Sequence, residues 1–152
     1  MSEADRLKQV EARLAIADLV HAYALAVRRD RPEDVEQLFA PGATFEVREG
    51  APDREDHTVV QRFESPQDLV SYLVSGKGRS HPVPLIHNLL VEVHGDRAFA
   101  SSMMAGPIFG TGNEVFGEYA DSFIQHGGEW RFSSRVFTLF RDPAVGERDS
   151  GA

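Results

Sequence analysis

The sequence contains no cysteine. This absence excludes a disulfide-stapled fold, a thiolate nucleophile and a zinc site built on cysteine. Positive charge is also scarce, because 16 Lys and Arg stand against 24 Asp and Glu, giving a net charge of −8. The basic residues are scattered along the chain and form no stripe, so a nucleic-acid partner is not expected.

Long apolar runs are missing from the start of the chain. Residues 1–30 carry charges throughout, beginning with Glu3 and Asp5, and offer no apolar stretch of the kind a signal peptide or membrane span requires. We therefore expect a cytoplasmic protein with no membrane partner. With 41% hydrophobic and 26% charged residues in 152, the composition predicts one globular domain over residues 1–152, with a frayed tail at 143–152.

The first half of the chain reads mainly as helix. Residues 4–29 have helical periodicity, and a second helix is predicted from Pro32 to about Phe39. A third helix is predicted from Ser65 to Gly76, starting at a Ser-Pro pair. The predicted buried stripe of the first helix consists of Leu7, Val10, Leu14, Ala17, Val20, Ala24 and Val27.

Strands dominate the second half. Short strands are predicted at 44–47 and 57–63, separated by a charged loop at 48–56. Four longer alternating segments follow a polar linker at 77–84, with glycine-containing turns between them: 86–94, 98–105, 115–126 and 130–141. Helices followed by hairpins predict an α+β domain whose antiparallel sheet packs its apolar face on the preceding helices.

Several short segments, in this order, resemble a known family. They are residues 16–24, 38–43, 95–98, 117–121 and 130–132 with Arg135. Over about residues 8–141 the chain resembles the SnoaL-like branch of the nuclear transport factor 2-like superfamily. The resemblance implies a cone-shaped α+β domain, a curved antiparallel sheet wrapped around N-terminal helices that encloses an apolar pocket, and a homodimer formed through the outer sheet face.

Asp121 is the first candidate for a catalytic residue. Alternation of the strand at 115–126 places Asp121 on the same face as Tyr119 and Phe123. A carboxylate between aromatic rings is partly desolvated, which raises its pKa toward the range useful for proton transfer. The alternative is an ion pair with Arg131 or Arg135 on the adjacent strand, which would fix the strand register.

His87 is the second candidate, at the head of an apolar face that continues through Leu89, Val91 and Val93. Such a histidine is often a satisfied core residue. The resemblance, however, extends to scytalone dehydratases, which use pocket histidines with an aspartate as acid and base. His87 is therefore a candidate second proton carrier.

Tyr23 and Arg28 lie near the end of the first helix. Tyr23 is placed to hold a substrate oxygen or to pack in the core. Five residues on, family members with dehydratase-like sites usually carry Asp, whereas this chain has Arg28. Arg28 would clamp a carboxylate or enolate oxygen, or form a surface salt bridge with Glu33 or Asp34.

These residues predict a small hydrophobic ligand and cofactor-free acid–base chemistry of the dehydratase, isomerase or cyclase type, without a metal. Asp121, His87 and Tyr23 are the catalytic candidates, and the substrate-binding candidates are Tyr119, Phe123, Arg28, Met104 and Phe137. Two alternatives stay open. One is a non-catalytic ligand-binding or dimerisation module, favoured by the missing Asp at position 28. The other is an epoxide hydrolase, although limonene epoxide hydrolases carry Arg-x-Asp where this chain has Tyr119-Ala120-Asp121.

Overall fold

The computed structural model describes residues 1–141 and has the predicted α+β architecture, an N-terminal helix against a curved, unclosed sheet of six strands. The predicted tail at 143–152 lies outside the described residues. The elements are α1 (Glu3–Arg28), two 3-10 turns (Pro32–Asp34 and Glu36–Leu38), β1 (Phe39–Gly50), β2 (Thr58–Phe63), α2 (Pro66–Ser75), β3 (Leu85–His94), β4 (Arg97–Ile108), β5 (Asn113–His126) and β6 (Glu129–Phe140).

Helix α1 begins with a capping box in which the Ser2 hydroxyl accepts from the Asp5 amide and the Asp5 carboxylate accepts from Ser2. Its predicted buried stripe is wrong in the N-terminal half, because Leu7, Val10 and Leu14 are 60%, 52% and 62% exposed. The face on the sheet is instead formed by Ala12, Ile16, Val20, Tyr23, Ala24 and Ala26. Both stripes have helical spacing, so periodicity alone did not identify the buried one. No helix within residues 1–141 has the length and apolarity needed to cross a membrane.

The segment after α1 differs most from prediction. The second helix is absent as a continuous element, since two 3-10 turns occupy residues 32–38. Strand β1 then begins at Phe39 and continues to Gly50, through part of the predicted loop. Its partner explains the extension, because β1 pairs with β6 from Thr44↔Ser134 to Gly50↔Phe140. Backbone pairing in a sheet thus overrides local turn-forming composition.

The sheet has the order β2-β1-β6-β5-β4-β3. Its hairpins β3–β4, β4–β5 and β5–β6 are antiparallel, as predicted, and so is β1–β2. The β1–β6 pairing is parallel, which corrects the prediction of a fully antiparallel sheet. Helix α1 packs on the inner face of this sheet, against β3 and β6. Helix α2 starts after the Ser65 cap, as the Ser-Pro signal predicts. It ends at Ser75.

Candidate functional site

The inner face of the sheet carries a buried ion pair between β5 and β6. Arg135 Nε donates to Asp121 Oδ1 at 2.8 Å, and Arg135 Nη2 donates to Asp121 Oδ2 at 3.2 Å. Both side chains have zero exposure. The two residues are register partners, so the arrangement found is the alternative in which Asp121 pairs with Arg135 on the adjacent strand.

Aromatic rings enclose this pair. The Arg135 guanidinium carbon lies 3.7 Å from the Tyr119 ring centroid and 4.6 Å from the centroids of Tyr23 and Phe132, which is cation–π geometry. Burial raises the pKa of the Asp121 carboxyl, and the charge and hydrogen bonds of Arg135 oppose that rise. Burial likewise raises the pKa of the Tyr23 and Tyr119 hydroxyls. These phenols therefore stay protonated at neutral pH.

Most of the predicted substrate-binding residues are part of this core. Tyr23, Met104, Tyr119 and Phe123 are buried within it, and Phe137 packs on Tyr119 at a centroid distance of 4.9 Å. Four surface cavities of about 420 to 670 Å³ have linings that include none of these residues. These side chains are therefore packed together in the core, and none of them lines the four cavities.

His87 lies on the opposite face of the sheet, which corrects its predicted position. The β3–β4 register shifts between His87 and Leu90, and Asn88 at this bulge has a φ of +52°. A bulge adds one residue and reverses the alternation of side chains beyond it. As a result Ile86 packs with Leu89, Val91 and Val93 against the core, while His87 is exposed.

Arg28 is exposed, and neither predicted salt bridge forms. Asp34 pairs with Arg31 at 2.7 Å, and Glu33 pairs with Arg31 and Lys77. Arg28 lines a shallow groove together with His87. Two of the predicted site residues therefore line one groove, and Asp121 is not part of its lining.

A cleft of about 490 Å³ lies between the end of α1, α2 and the linker before β3. Its apolar wall comes from residues such as Ala26, Val35 and Leu73. Polar groups are contributed by a second set of lining residues, which consists of Asp30, Arg31, Tyr72, Ser75, Arg79, Ser80 and His81. A concave surface that is mostly apolar and carries a few convergent polar groups is typical of small-molecule sites.

Asp30 is placed in this cleft by the end of α1. It has a φ of +56°, while Arg31 N donates to Ala26 O at 2.9 Å and Asp30 N donates to Val27 O at 3.1 Å. This is the Schellman arrangement, in which glycine is preferred at the left-handed position. The strain of a non-glycine residue there is of order 1 kcal/mol. The Asp30 carboxylate thus stands at a position where glycine would be less strained.

The Asp30 carboxylate joins the helix end to the linker. Its Oδ2 accepts from the Gly78 amide at 2.7 Å, and its Oδ1 lies 3.8 Å from His81 Nε2. The Asp30 and His81 side chains are 34% and 29% exposed. Both groups are therefore fixed, partly desolvated and open to the cleft.

The second ring nitrogen of His81 determines what Nε2 can do. His81 Nδ1 lies 3.0 Å from the Pro82 carbonyl oxygen. A carbonyl only accepts, so Nδ1 carries the proton in this contact, and the neutral ring has its lone pair on Nε2. At 3.8 Å, Nε2 is beyond hydrogen-bond distance from Asp30. Its lone pair is thus available to a hydrogen-bond donor on a ligand in the cleft.

Sequence reasoning missed this pair. Neither Asp30 nor His81 is among the site residues predicted above, and His81 falls in the segment predicted as a polar linker at 77–84. The one sequence signal is the position of Asp30 directly after a helix of strong periodicity, where a C-terminal cap is expected. Residues 1–141 contain no group of three or more side chains arranged to hold a metal ion.

Comparisons with known structures give the same fold. A protein of unknown function from Mycobacterium tuberculosis is 23% identical over 97% of this chain and 81% of its own, with a TM-score of 0.77. A proposed beta subunit of an aromatic-ring-hydroxylating dioxygenase from Novosphingobium aromaticivorans is 26% identical over 90% and 93%, with a TM-score of 0.73. A proposed scytalone dehydratase from the same organism is 21% identical over 87% and 85%, with a TM-score of 0.63.

Curated proteins gave no match. The sequence profile of the SnoaL-like domain matches residues 8–136, which include most of α1, most of the sheet and both Asp30 and His81. The chain belongs to the SnoaL-like domain family.

Proposed function

We propose that this protein binds a small, mostly apolar molecule in the cleft between α1 and α2 and moves a proton to or from it through His81. The observation that carries the proposal is the placement of Asp30 and His81 at 3.8 Å, both open to the same cleft. A histidine whose Nε2 has a free lone pair and a carboxylate beside it has the functional groups of a general base. Dehydration, isomerisation and cyclisation each need such a group.

Arg79 indicates which chemical group the ligand of the cleft carries. It is exposed at the rim of the cleft, and no carboxylate within residues 1–141 forms an ion pair with it. A cation without a partner favours a ligand oxygen that carries or develops negative charge, such as a carbonyl becoming an enolate. The proposed substrate therefore has an apolar body and one carbonyl or hydroxyl group.

The geometry favours His81 over Asp121 as the proton carrier. Both Asp121 oxygens accept from Arg135, and the pair has no exposed side-chain surface. Epoxide hydrolysis by Asp121 would require a water molecule at this carboxylate, and the same enclosure argues against it. We assign Asp121 a structural role.

The test uses 2-tetralone in deuterated buffer, with deuterium incorporation at its α-carbon followed by NMR. We expect the protein to accelerate exchange, and His81→Gln to reduce the protein-dependent rate by about 100-fold. Asp30→Asn should reduce it less, since it removes the charge and keeps an acceptor for the Gly78 amide. His126→Gln, at the exposed end of β5, is the matched control.

Two results would contradict the acid–base proposal. Equal exchange rates for the His81→Gln variant and the unmodified protein would remove His81 from the mechanism. Saturable binding of 2-tetralone without any accelerated exchange would support the ligand-binding alternative.

A second candidate function is that of a non-catalytic subunit that assembles through the outer face of the sheet. Phe99 and Phe116, at opposite ends of the β4–β5 ladder on this face, are each 49% exposed. The similarity to a proposed dioxygenase beta subunit supports an assembly role, and the expected partner is a second copy of this chain. If so, a Phe99→Ser and Phe116→Ser double variant should sediment as a smaller species than the unmodified protein. Phe109→Ser, at a residue 91% exposed in a turn, should leave sedimentation unchanged.

A further inference from the structure

A second groove lies on the other side of α1, between this helix and the start of β3. It has a volume of about 420 Å³ and is separate from the Asp30–His81 cleft. Its lining consists of His21, Ala24, Leu25, Arg28, Pro84, Leu85, Ile86 and His87. We call it the basic groove.

The floor of the basic groove is apolar and open. Leu25 is 36% exposed and Leu85 is 46% exposed, and Pro84 and Ile86 are half-buried beside them. Single exposed leucines are ordinary on a protein surface. Here they face each other from a helix and a strand across a concavity, which is the form of a site for an apolar chain.

Three basic side chains surround this floor. His21 and Arg28 are seven residues apart on α1, so they lie two turns apart on one side of the helix with Leu25 between them. The bulge at Asn88 turns His87 outward toward the same groove. The bulge at Asn88 therefore turns His87 away from the core and also places it at the basic groove.

Among the described residues 1–141, no acid lines the basic groove, although the whole chain has 24 Asp and Glu against 16 Lys and Arg. Within residues 1–141, none of the three basic side chains forms an ion pair; the nearest acid along the helix is Asp18, one turn before His21 and outside the lining. The guanidinium of Arg28, without an acidic partner and beside exposed leucines, matches a ligand that has an anionic head and an apolar tail.

We propose that the basic groove binds a free medium-chain carboxylate, with the carboxylate at Arg28 and the alkyl chain along Leu25 and Leu85. A planar guanidinium pairs with a carboxylate through two parallel hydrogen bonds. His21 and His87 add donors on either side. The ligand proposed for the basic groove is a carboxylate with an alkyl chain, whereas the ligand proposed for the cleft has a carbonyl or hydroxyl group. The two proposals therefore concern different ligands.

The experiment titrates the protein with decanoate in 150 mM salt and follows backbone amide shifts by NMR. The amides of residues 21–28 and 85–87 should shift, while those of residues 78–81 of the cleft linker should not. Arg28→Gln should weaken binding at least about tenfold, because it removes a charged hydrogen-bond donor. Arg29→Gln is the matched control, since Arg29 is the next residue, is exposed and lies outside the groove lining.

The neutral alcohol 1-decanol tests the anionic head and should bind at least about tenfold more weakly than decanoate. Leu85→Ser tests the floor and should reduce the advantage of decanoate over hexanoate. Circular dichroism and urea midpoints establish that each variant is folded.

Four outcomes would overturn the proposal. The first is no shift with decanoate below its critical micelle concentration. The second is equal weakening by Arg28→Gln and Arg29→Gln, which would indicate non-specific charge attraction. The third is equal affinity for decanol, and the fourth is a shift pattern confined to the Asp30–His81 cleft.

Discussion

Arg135 donates two hydrogen bonds to Asp121 across neighbouring strands, and neither side chain has exposed surface. Removing two opposite charges from water is costly, and their attraction compensates only when the geometry is good. This pair therefore makes β5 and β6 dependent on each other in the middle of the core.

Removing one partner of the pair should lower the free energy of unfolding far more than replacing both partners would. We expect Asp121→Ala or Arg135→Met alone to lower the free energy of unfolding by about 3 to 5 kcal/mol, since each leaves one buried charge without a partner. The double variant should lose less than the sum of the single losses. Urea unfolding of the four proteins measures this coupling. Additivity within about 0.5 kcal/mol would show that the two charges do not depend on each other.

The left-handed backbone conformation of Asp30 should affect the free energy of unfolding. Asp30→Gly and Asp30→Ala both remove the carboxylate and its bond from the Gly78 amide, but only glycine adopts a φ of +56° without strain. We expect the glycine variant to be more stable than the alanine variant by about 1 kcal/mol. Equal thermal and urea midpoints for the two variants would contradict a strained helix end. In the exchange assay, both should lose activity.

The strands and turns of the second half were predicted well because they are local. Each hairpin combines alternating residues with a turn that contains glycine, and both lie within one stretch of sequence. The ion pair of Asp121 with Arg135 was also among the predicted alternatives, because β5 and β6 were predicted as neighbouring strands.

The predictions that were wrong concern features that depend on contacts between distant segments or on irregular backbone geometry. The parallel pairing of β1 with β6 joins segments far apart in sequence, and it determined where β1 ends. A single bulge at Asn88 reversed the face of His87. The Asp30–His81 pair requires both a left-handed helix end and the folding back of a linker, neither of which leaves a periodic pattern.

The outer face of β1 provides a test of pH dependence. Glu46 is buried, and although this burial works to raise the pKa of its carboxyl, hydrogen bonds and charge from Arg48 and Arg62 hold the pKa below its ordinary value of 4.5. Because the unfolded chain then binds more protons, the contribution of Glu46 to stability is complete above about pH 4.5 and is lost as pH falls through the folded pKa.

Glu46→Gln should therefore destabilise the protein by about 1 to 2 kcal/mol at pH 7. The difference from the unmodified protein should shrink as the pH is lowered from 5 to 3, in urea unfolding at each pH. Glu114→Gln, at an exposed position of β5, should give no such trend. A constant difference across this range would mean that the Glu46 charge contributes nothing.

Gly117 should not tolerate a side chain. A Cβ atom there would lie 2.5 Å from Phe137 Cε2 and 2.5 Å from the Thr138 carbonyl oxygen, which is closer than atoms can pack. Gly117→Ala should cost about 1 to 3 kcal/mol and displace the Phe137 ring from Tyr119. Gly76→Ala is the control, since the nearest atom to its Cβ would be the Leu73 carbonyl oxygen at 3.7 Å. If both substitutions have the same effect on the urea midpoint, the close approach at Gly117 is wrong.

The buried face of α1 is decided by two residues of similar hydrophobicity, Leu14 and Ile16. Leu14 is 62% exposed and Ile16 is fully buried, whereas the periodicity prediction buried Leu14. Truncating Ile16 to Ala leaves a cavity against the sheet, so we expect a loss of about 2 to 5 kcal/mol. Leu14→Ala should change stability by less than about 0.5 kcal/mol, because alanine is the better helix former and Leu14 is mostly exposed. The reverse order of the two urea midpoints would show that α1 is rotated about its axis, and with it Tyr23 would leave the Arg135 guanidinium.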